Sequence, residues 1–392
     1  MRVLYVTHFL PDPTAPARRI QAIASLLESC GYEVEVALAG VFPFGAEPPD
    51  WMGRRIFADG ALFLPDCRKL SKNLERLTSR RSSALCEAAI RSSKPDLVLV
   101  YGVSFEVMTH LMGLRDELGF SLVVDDTDWF DLFFKGDVAG YVMERSKSRR
   151  FDLLDPRADG VIAISPYLRD HFESLGTRTF FLPSVVPNMP QIGEADLLRD
   201  PSEPIRFVYA GSLGGGKDLI KPALDAFGEL PADLRDKVSL EVIGPSEGEV
   251  AEACGRSYAN LGNVSIVGRK SHEYVDSRLS QAFFGFLLRK PERYAKAGFS
   301  TKFGECMCMG VPMICNEVGG ADTVLESGVD GLVLPDDEAG TVLSALVSIA
   351  EADPFDLLCM RRAARRKAET LFDPKCYAAP FARFLEEVRR HG

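Results

Sequence analysis

Short continuous apolar runs alternate with amphipathic stretches along the chain, and the alternation occurs twice over. Residues 2–7 (RVLYVT), 33–38 (EVEVAL), 96–101 (DLVLVY) and 120–124 (FSLVV) are rich in Val and Leu. Runs of this length and composition predict strands covered on both faces, as in parallel sheets. Between the first two, residues 16–28 place Ile20, Ile23, Ala24 and Leu27 on one helical stripe, and Gly31 ends it. Residues 158–165 predict a further strand, followed by a helix, and residues 180–188 a last strand with its exit loop. Residues 187–204 are polar, hold four prolines and read as a linker. The pattern then starts again. Residues 205–210 predict a strand, and the glycine loop 211–217 opens a helix from Asp218 to Phe227. Strands follow at 238–243, 264–267, 283–288, 311–315 and 331–334. A closing helix carries Phe381, Phe384, Leu385 and Val388 on one stripe. Strand–helix alternation of this kind predicts two doubly wound α/β units. In such sheets ligands sit beyond the carboxyl ends of the strands. That puts His8, Arg18 and Arg19 near a cleft, with ordinary surface positions as the alternative.

Composition narrows the partners. The 392 residues hold 46 Lys and Arg against 56 Asp and Glu, a net charge of −10. This argues against nucleic acid as the main partner. One stretch departs from the balance: residues 68–94 carry eight basic and two acidic residues, with Leu70, Leu74 and Leu77 on one helical face. A basic amphipathic helix can lie on an anionic membrane surface or pack as a solvated face on its own domain. The nine cysteines include no CxxC, and no histidine lies near Cys306, Cys308 and Cys315. They read as small buried hydrophobes in a reducing cytosol rather than zinc ligands. No apolar run reaches about 18 residues, and that of the N-terminus is too short for a signal peptide. The expected location is cytoplasmic, with the inner membrane face open through the basic stretch.

Three stretches carry candidate chemistry. GSLGGGKD at 211–218 holds Gly211, Gly214 and Gly215, which let backbone N–H groups approach an anion. It fits a triphosphatase phosphate loop except at Asp218, where Ser or Thr would hold magnesium, and a carboxylate there would repel phosphate. FSTKFGECMCMGVPMICNEVGG at 299–320 places Ser300, Thr301 and Lys302 at a helix start, a natural anion seat, with Ser300 or Thr301 as N-cap. Asp126-Thr127-Asp128 follows a strand. A D-x-D triplet can hold a divalent metal and a diphosphate, can serve an acceptor, or can cap a turn.

The sequence STKFGECMCMGVPMI at 300–314 resembles the donor-binding signature of family 4 nucleotide-sugar glycosyltransferases, "P-T-K-F-x-E-Y-hydrophobic-A-x-G-x-P-V-I". FGFLLRK at 284–290, with Arg289, and ADGVIAIS at 158–165 also look like the family. The resemblance implies the α/β GT-B fold: two Rossmann-like doubly wound domains facing a cleft, the C-terminal helix returning to the N-terminal domain. The implied boundaries are 1–188 for the acceptor-binding domain, 189–204 for the linker, 205–370 for the nucleotide-sugar domain and 371–392 for the returning helix. It implies a retaining, hexosyltransferase-like enzyme that moves a sugar from a nucleoside diphosphate sugar to an acceptor glycan, glycolipid or small molecule, in cell-surface polysaccharide or glycoconjugate synthesis. No cofactor or metal is expected; the nucleotide sugar is a co-substrate. Glu305 is implied to bond the donor's ribose, and Lys217, Arg289 and Lys302 to face its diphosphate. Arg269 is implied to meet the nucleobase. His8, Asp126 and Asp128 are implied as catalytic groups on the acceptor side, as Lys217 is toward the donor, with Arg18 and Arg19 near the acceptor. A full second unit of this kind disfavours the metal-dependent GT-A reading of D-x-D. Two departures stand out. The family's first glutamate, eight positions before Glu305, is Ala297, and a family arginine is Ser212. They keep an inactive nucleotide-sugar-binding scaffold open, beside a GT-B-shaped sugar-nucleotide epimerase.

Overall fold

The structure, a computed structural model, describes residues 1–10, 14–43, 53–58, 62–64, 75, 78–129, 138–187, 189–198, 200, 202–213, 218–318 and 320–391. The chain divides into two compact units, one of Met1–Pro187 with Pro374–Gly392 and one of Asn188–Asp373.

The first unit holds β1 (Arg2–Thr7), β2 (Glu33–Leu38), β3 (Val41–Pro43), β4 (Ile56–Phe57), β5 (Leu62–Leu64), β6 (Leu97–Tyr101), β7 (Ser121–Asp126), β8 (Gly160–Ala163) and β9 (Thr179–Phe181). Seven of them form one parallel sheet in the order β4-β2-β1-β6-β7-β8-β9, and β3 pairs with β5 separately. The order reverses direction at β1 and β6, the place where such sheets open a crevice. The apolar runs explain the strands: β1 buries Val3, Leu4, Tyr5 and Val6, and β6 buries every residue. The helix Ala15–Ser29 covers one face with Ile20, Ile23, Ala24 and Leu27, the predicted stripe.

The helix Ala378–His391 completes this unit. Phe381, Phe384, Leu385 and Val388 are buried in the same core as β1 and β2. The rings of Phe381 and Phe384 lie 5.2 and 5.4 Å from Phe180 in β9. Of the basic stretch, the helix Arg80–Ser93 is described, and it buries Leu85, Cys86, Ala89 and Ile90. Leu70, Leu74 and Leu77 lie outside the described residues. Among the described residues no helix is long and apolar enough to cross a membrane.

The second unit holds β10 (Ile205–Ala210), β11 (Val238–Ile243), β12 (Val264–Gly268), β13 (Phe284–Leu287), β14 (Met313–Asn316) and β15 (Gly331–Leu334). They form a parallel sheet in the order β12-β11-β10-β13-β14-β15. Numbered within the unit this is 3-2-1-4-5-6, the dinucleotide-fold order, with the reversal between β10 and β13. Stacked rings of Phe207 and Phe284, 5.4 Å apart, centre its core. The helix predicted from Asp218 starts at Lys221 instead. The backbone is still extended at 218–219, because Asp218 pairs with Arg289 in an antiparallel bridge and the Leu219 N–H donates to Leu288 O at 2.7 Å. Pro222 then takes the first turn, where its missing N–H costs nothing.

Candidate functional site

Two clusters of charged side chains stand at the carboxyl ends of strands, one in each unit. In the second unit they gather where the strand order reverses. Arg289 follows β13, and Asn316 at the end of β14 grips its backbone: the Asn316 amide accepts from Arg289 N–H at 2.9 Å and donates to Arg289 O at 2.6 Å. So fixed, Arg289 donates through Nε to Asp218 Oδ1 at 2.9 Å. Lys302, in the first turn of the helix Thr301–Cys308, donates to Asp218 Oδ2 at 2.7 Å. Its ammonium also lies 5.1 Å from the centre of the Tyr209 ring. The lysine reaches this point across Gly211, where a Cβ would collide with the ammonium and displace it. Burial alone would raise the pKa of Asp218, but Lys302 and Arg289 outweigh it and hold the carboxyl below the ordinary value. The Tyr209 hydroxyl is pushed up by burial and by Asp218. Two cations and one carboxylate leave this cluster net positive.

Ser300 is the N-cap of the helix but makes no side-chain cap bond, and it is buried. Thr301 and Glu305 are half-buried on the same helix. Gly211 spends its own N–H on Ile243 O at 2.9 Å, so that donor closes the sheet end rather than facing an anion. Gly214, Gly215 and Lys217 lie outside the described residues. Arg269 follows β12 at the sheet edge, two strands from β10. Its side chain is 83% exposed and pairs with Glu249 at 3.2 Å, so it is not brought into the cluster.

In the first unit a cavity of about 290 Å³ opens beyond β1, β6 and β7, lined by His8, Tyr101, Asp126, Asp128, Trp129 and Lys147 among others. Gly102 (φ 75°) ends β6 against the His8 ring, where a Cβ would stand 2.6 Å from Cε1. Burial, then the neighbouring Lys147, lowers the His8 pKa to about 3, so the imidazole is neutral at physiological pH. Asp125 is enclosed: Arg19 reaches it at 2.7 Å, and the Tyr5 hydroxyl donates to it at 3.2 Å. Arg19 also donates to Leu182 O at 3.1 Å, which makes it a buried brace. Asp126 accepts from Arg150 at 2.7 Å, and Arg150 also bonds Asp155 at 2.9 Å. One guanidinium thus serves two buried carboxyls, which also bond each other. Burial first, and Asp155 next, raise the Asp126 pKa well above its ordinary value. Asp128 is exposed and accepts from the Thr127 hydroxyl at 3.2 Å. Arg18 is half-buried on the helix Ala15–Ser29. Trp129 packs with its ring tilted 4.6 Å from Phe151 and 4.3 Å from His171, walling the cavity.

The sequence reading missed Asn316, Tyr209, Arg150 and Asp155. Asn316 alone left a trace: a polar residue closing the apolar run VPMIC just before a glycine pair.

The architecture just described defines a class, the α/β proteins built from two Rossmann-like units that GT-B glycosyltransferases share. Residues 204–352 match the family described as Glycosyl transferases group 1. It is 29% identical over 129 residues to alpha-D-kanosaminyltransferase of Streptomyces kanamyceticus, covering 33% of this chain and 32% of that one. The chain spans about a third to a half of the length of the curated relatives it matches. Its fold is similar to sucrose-phosphate synthase from Thermosynechococcus elongatus, with a TM-score of 0.70 at 17% identity over the whole of both chains. It is also similar to Anabaena HepE, solved in complex with UDP-glucose, with a TM-score of 0.63 at 14% identity over 98% of this chain and 99% of that one.

Proposed function

We propose that the protein is a retaining glycosyltransferase that takes a sugar from a nucleoside diphosphate sugar and gives it to an acceptor hydroxyl. The observation that supports this best is the Arg289–Asp218–Lys302 cluster at the strand reversal of the second unit. Departure of a diphosphate from an anomeric carbon develops negative charge on the leaving oxygens. Fixed positive charge and helix-start N–H groups aimed at them lower that barrier. Lys302 supplies both, since its ammonium and its own N–H belong to the first turn of one helix. Glu305, three residues on, is the ribose contact that the matched signature implies. The first-unit cavity is the acceptor's place, with neutral His8, Asp128 and Trp129 offering hydrogen bonds and an aromatic wall. The leaving phosphate serves as base, and the charge is met by side chains rather than by a metal.

The binding of UDP-glucose by the similar HepE makes a uridine nucleotide the first donor to test. UDP-glucose at about 100 times its dissociation constant is expected to stabilise the protein by about 2.7 kcal/mol in a thermal unfolding assay. Acceptor-dependent UDP release is expected to persist in excess EDTA. Absence of binding to every nucleotide sugar in a panel overturns the reading. Release that ignores the acceptor overturns the transferase, and EDTA-abolished release overturns the metal-free route.

A further inference from the structure

Asp218 stands in the glycine loop that the sequence offers for phosphate, at the one position where a carboxylate is out of place. Its side chain is 4% exposed, and each oxygen is spent on a different cation, Arg289 at 2.9 Å and Lys302 at 2.7 Å. Those cations are less enclosed, at 12% and 26%. The carboxylate cannot swing away freely, because its backbone is pinned to Arg289 by the antiparallel bridge and the neighbouring Leu219 N–H is tied to Leu288 O. It therefore sits as a fixed anion between two positive groups at the strand reversal.

We propose that Asp218 is an internal anion that competes with the donor's diphosphate for Lys302 and Arg289, and so limits how tightly the nucleotide is held and how long it stays. The proposal rests on the donor reading given above. In the absence of nucleotide, Asp218 keeps two like charges from facing each other in a partly dry site. A lysine ammonium has three N–H donors and an arginine guanidinium five. One of each is spent on Asp218, so a diphosphate can join the cluster without breaking it. It does so against the repulsion of a buried carboxylate a few ångströms away, which weakens its hold. When the diphosphate leaves, the carboxylate regains the undivided attraction of both cations. Asp218 is thus a positioning residue that also promotes product release.

Competition and simple bracing predict opposite signs. If Asp218 only braced the two cations, its removal would loosen them and weaken nucleotide binding. If it competes, removal of its charge strengthens binding. Calorimetric titration with UDP and with uridine at low salt decides between them. Asp218→Asn is expected to tighten UDP at least tenfold, since a buried unit charge beside a phosphate carries an interaction of that size or more, and to slow UDP dissociation. Uridine, which lacks phosphate, is expected to bind both proteins alike. Unchanged or weaker UDP binding in Asp218→Asn, beside UDP binding by the unaltered protein, overturns the competition and leaves the donor reading standing. Failure of the unaltered protein to bind any nucleoside diphosphate overturns both. Asp218→Ser carries the same expectation should Asp218→Asn not fold, and collapse of both variants shows a bracing role and overturns the proposal.

Discussion

Asp125 and Asp126 in the first unit and Asp218 in the second all stand at or just beyond strands with arginine partners, but the partners differ in their reach to solvent. The side chains of Arg19 and Arg150 are 6% and 7% exposed. Each is spent on carboxyls and on main-chain carbonyls, Arg19 on Leu182 O and Arg150 on Val103 O. Lys302 keeps 26% of its side chain open, and its bonded carboxylate, Asp218, is shared with Arg289. The first unit's cations therefore shape a cavity wall, and the second unit's cations are less enclosed. The same residue types at comparable places do different work because of burial and of how many donors are already committed.

The comparison breaks most sharply if the two kinds of cation are removed in turn. Arg19→Met leaves Asp125 buried without its ion partner, a change that typically costs 3–5 kcal/mol. A urea titration is expected to show that loss, and an unchanged midpoint would mean that the pair is not structural. Lys302→Met, by contrast, is expected to unfold near the unaltered midpoint while turnover falls about a hundredfold or more, the effect of losing a preorganised charge worth roughly 2.7–4 kcal/mol at the leaving group. Parallel unfolding and UDP-release assays on the two variants separate brace from binding group. If Lys302→Met loses stability and retains turnover, the contrast between the units is wrong.

A smaller effect sharpens the first unit's side. The Asp126 pKa stands above its ordinary value in the folded protein, through burial and then Asp155. The folded state thus binds that proton more tightly than the unfolded chain. The stability it contributes is present below the ordinary aspartate range, near 3.9, and is lost as pH rises through the raised value. Asp126→Asn, which mimics the protonated group in shape, is expected to flatten this decline by about 1 kcal/mol or less. Melting temperatures across pH 4–9 check it, and parallel curves for the two proteins would deny that Asp126 carries the proton.

The sequence displayed the fold more openly than the site. Continuous apolar runs are a local signal, and residues 2–7, 33–38, 205–210, 238–243 and 331–334 became strands with the predicted ends. The run VPMIC shifted to Met313–Asn316, because its polar neighbour continues the ladder beside Leu334. The helix start expected at Asp218 failed for a nonlocal reason: Arg289, 71 positions away, holds that residue in a bridge. The partnerships of Asp126 with Arg150 and of Arg289 with Asn316 are equally nonlocal. Ionisable side chains show their type in a sequence but not their neighbours. Arg19 and Asp126 therefore read as surface chemistry, and the structure shows them enclosed. Lys302 was legible because helix position and motif agree on it, whereas Asp218 read only as an obstacle to phosphate.

The helix Ala378–His391 belongs to the unit whose strands were made first. Between Pro187 and Pro374 the growing polypeptide must emit the whole of the other unit. Phe180 thus waits for Phe381 and Phe384 across some two hundred positions, while the Asn188–Asp373 unit has all of its own strands in hand. Contacts so remote in sequence form slowly, and nascent domains otherwise tend to close in the order they emerge from the ribosome. Here the order inverts: the portion synthesised first is the last to be sealed. Until then the core of β1 and β2 lacks Phe381, Phe384, Leu385 and Val388, and a ribosome that stalls short of them leaves one finished unit and one open one.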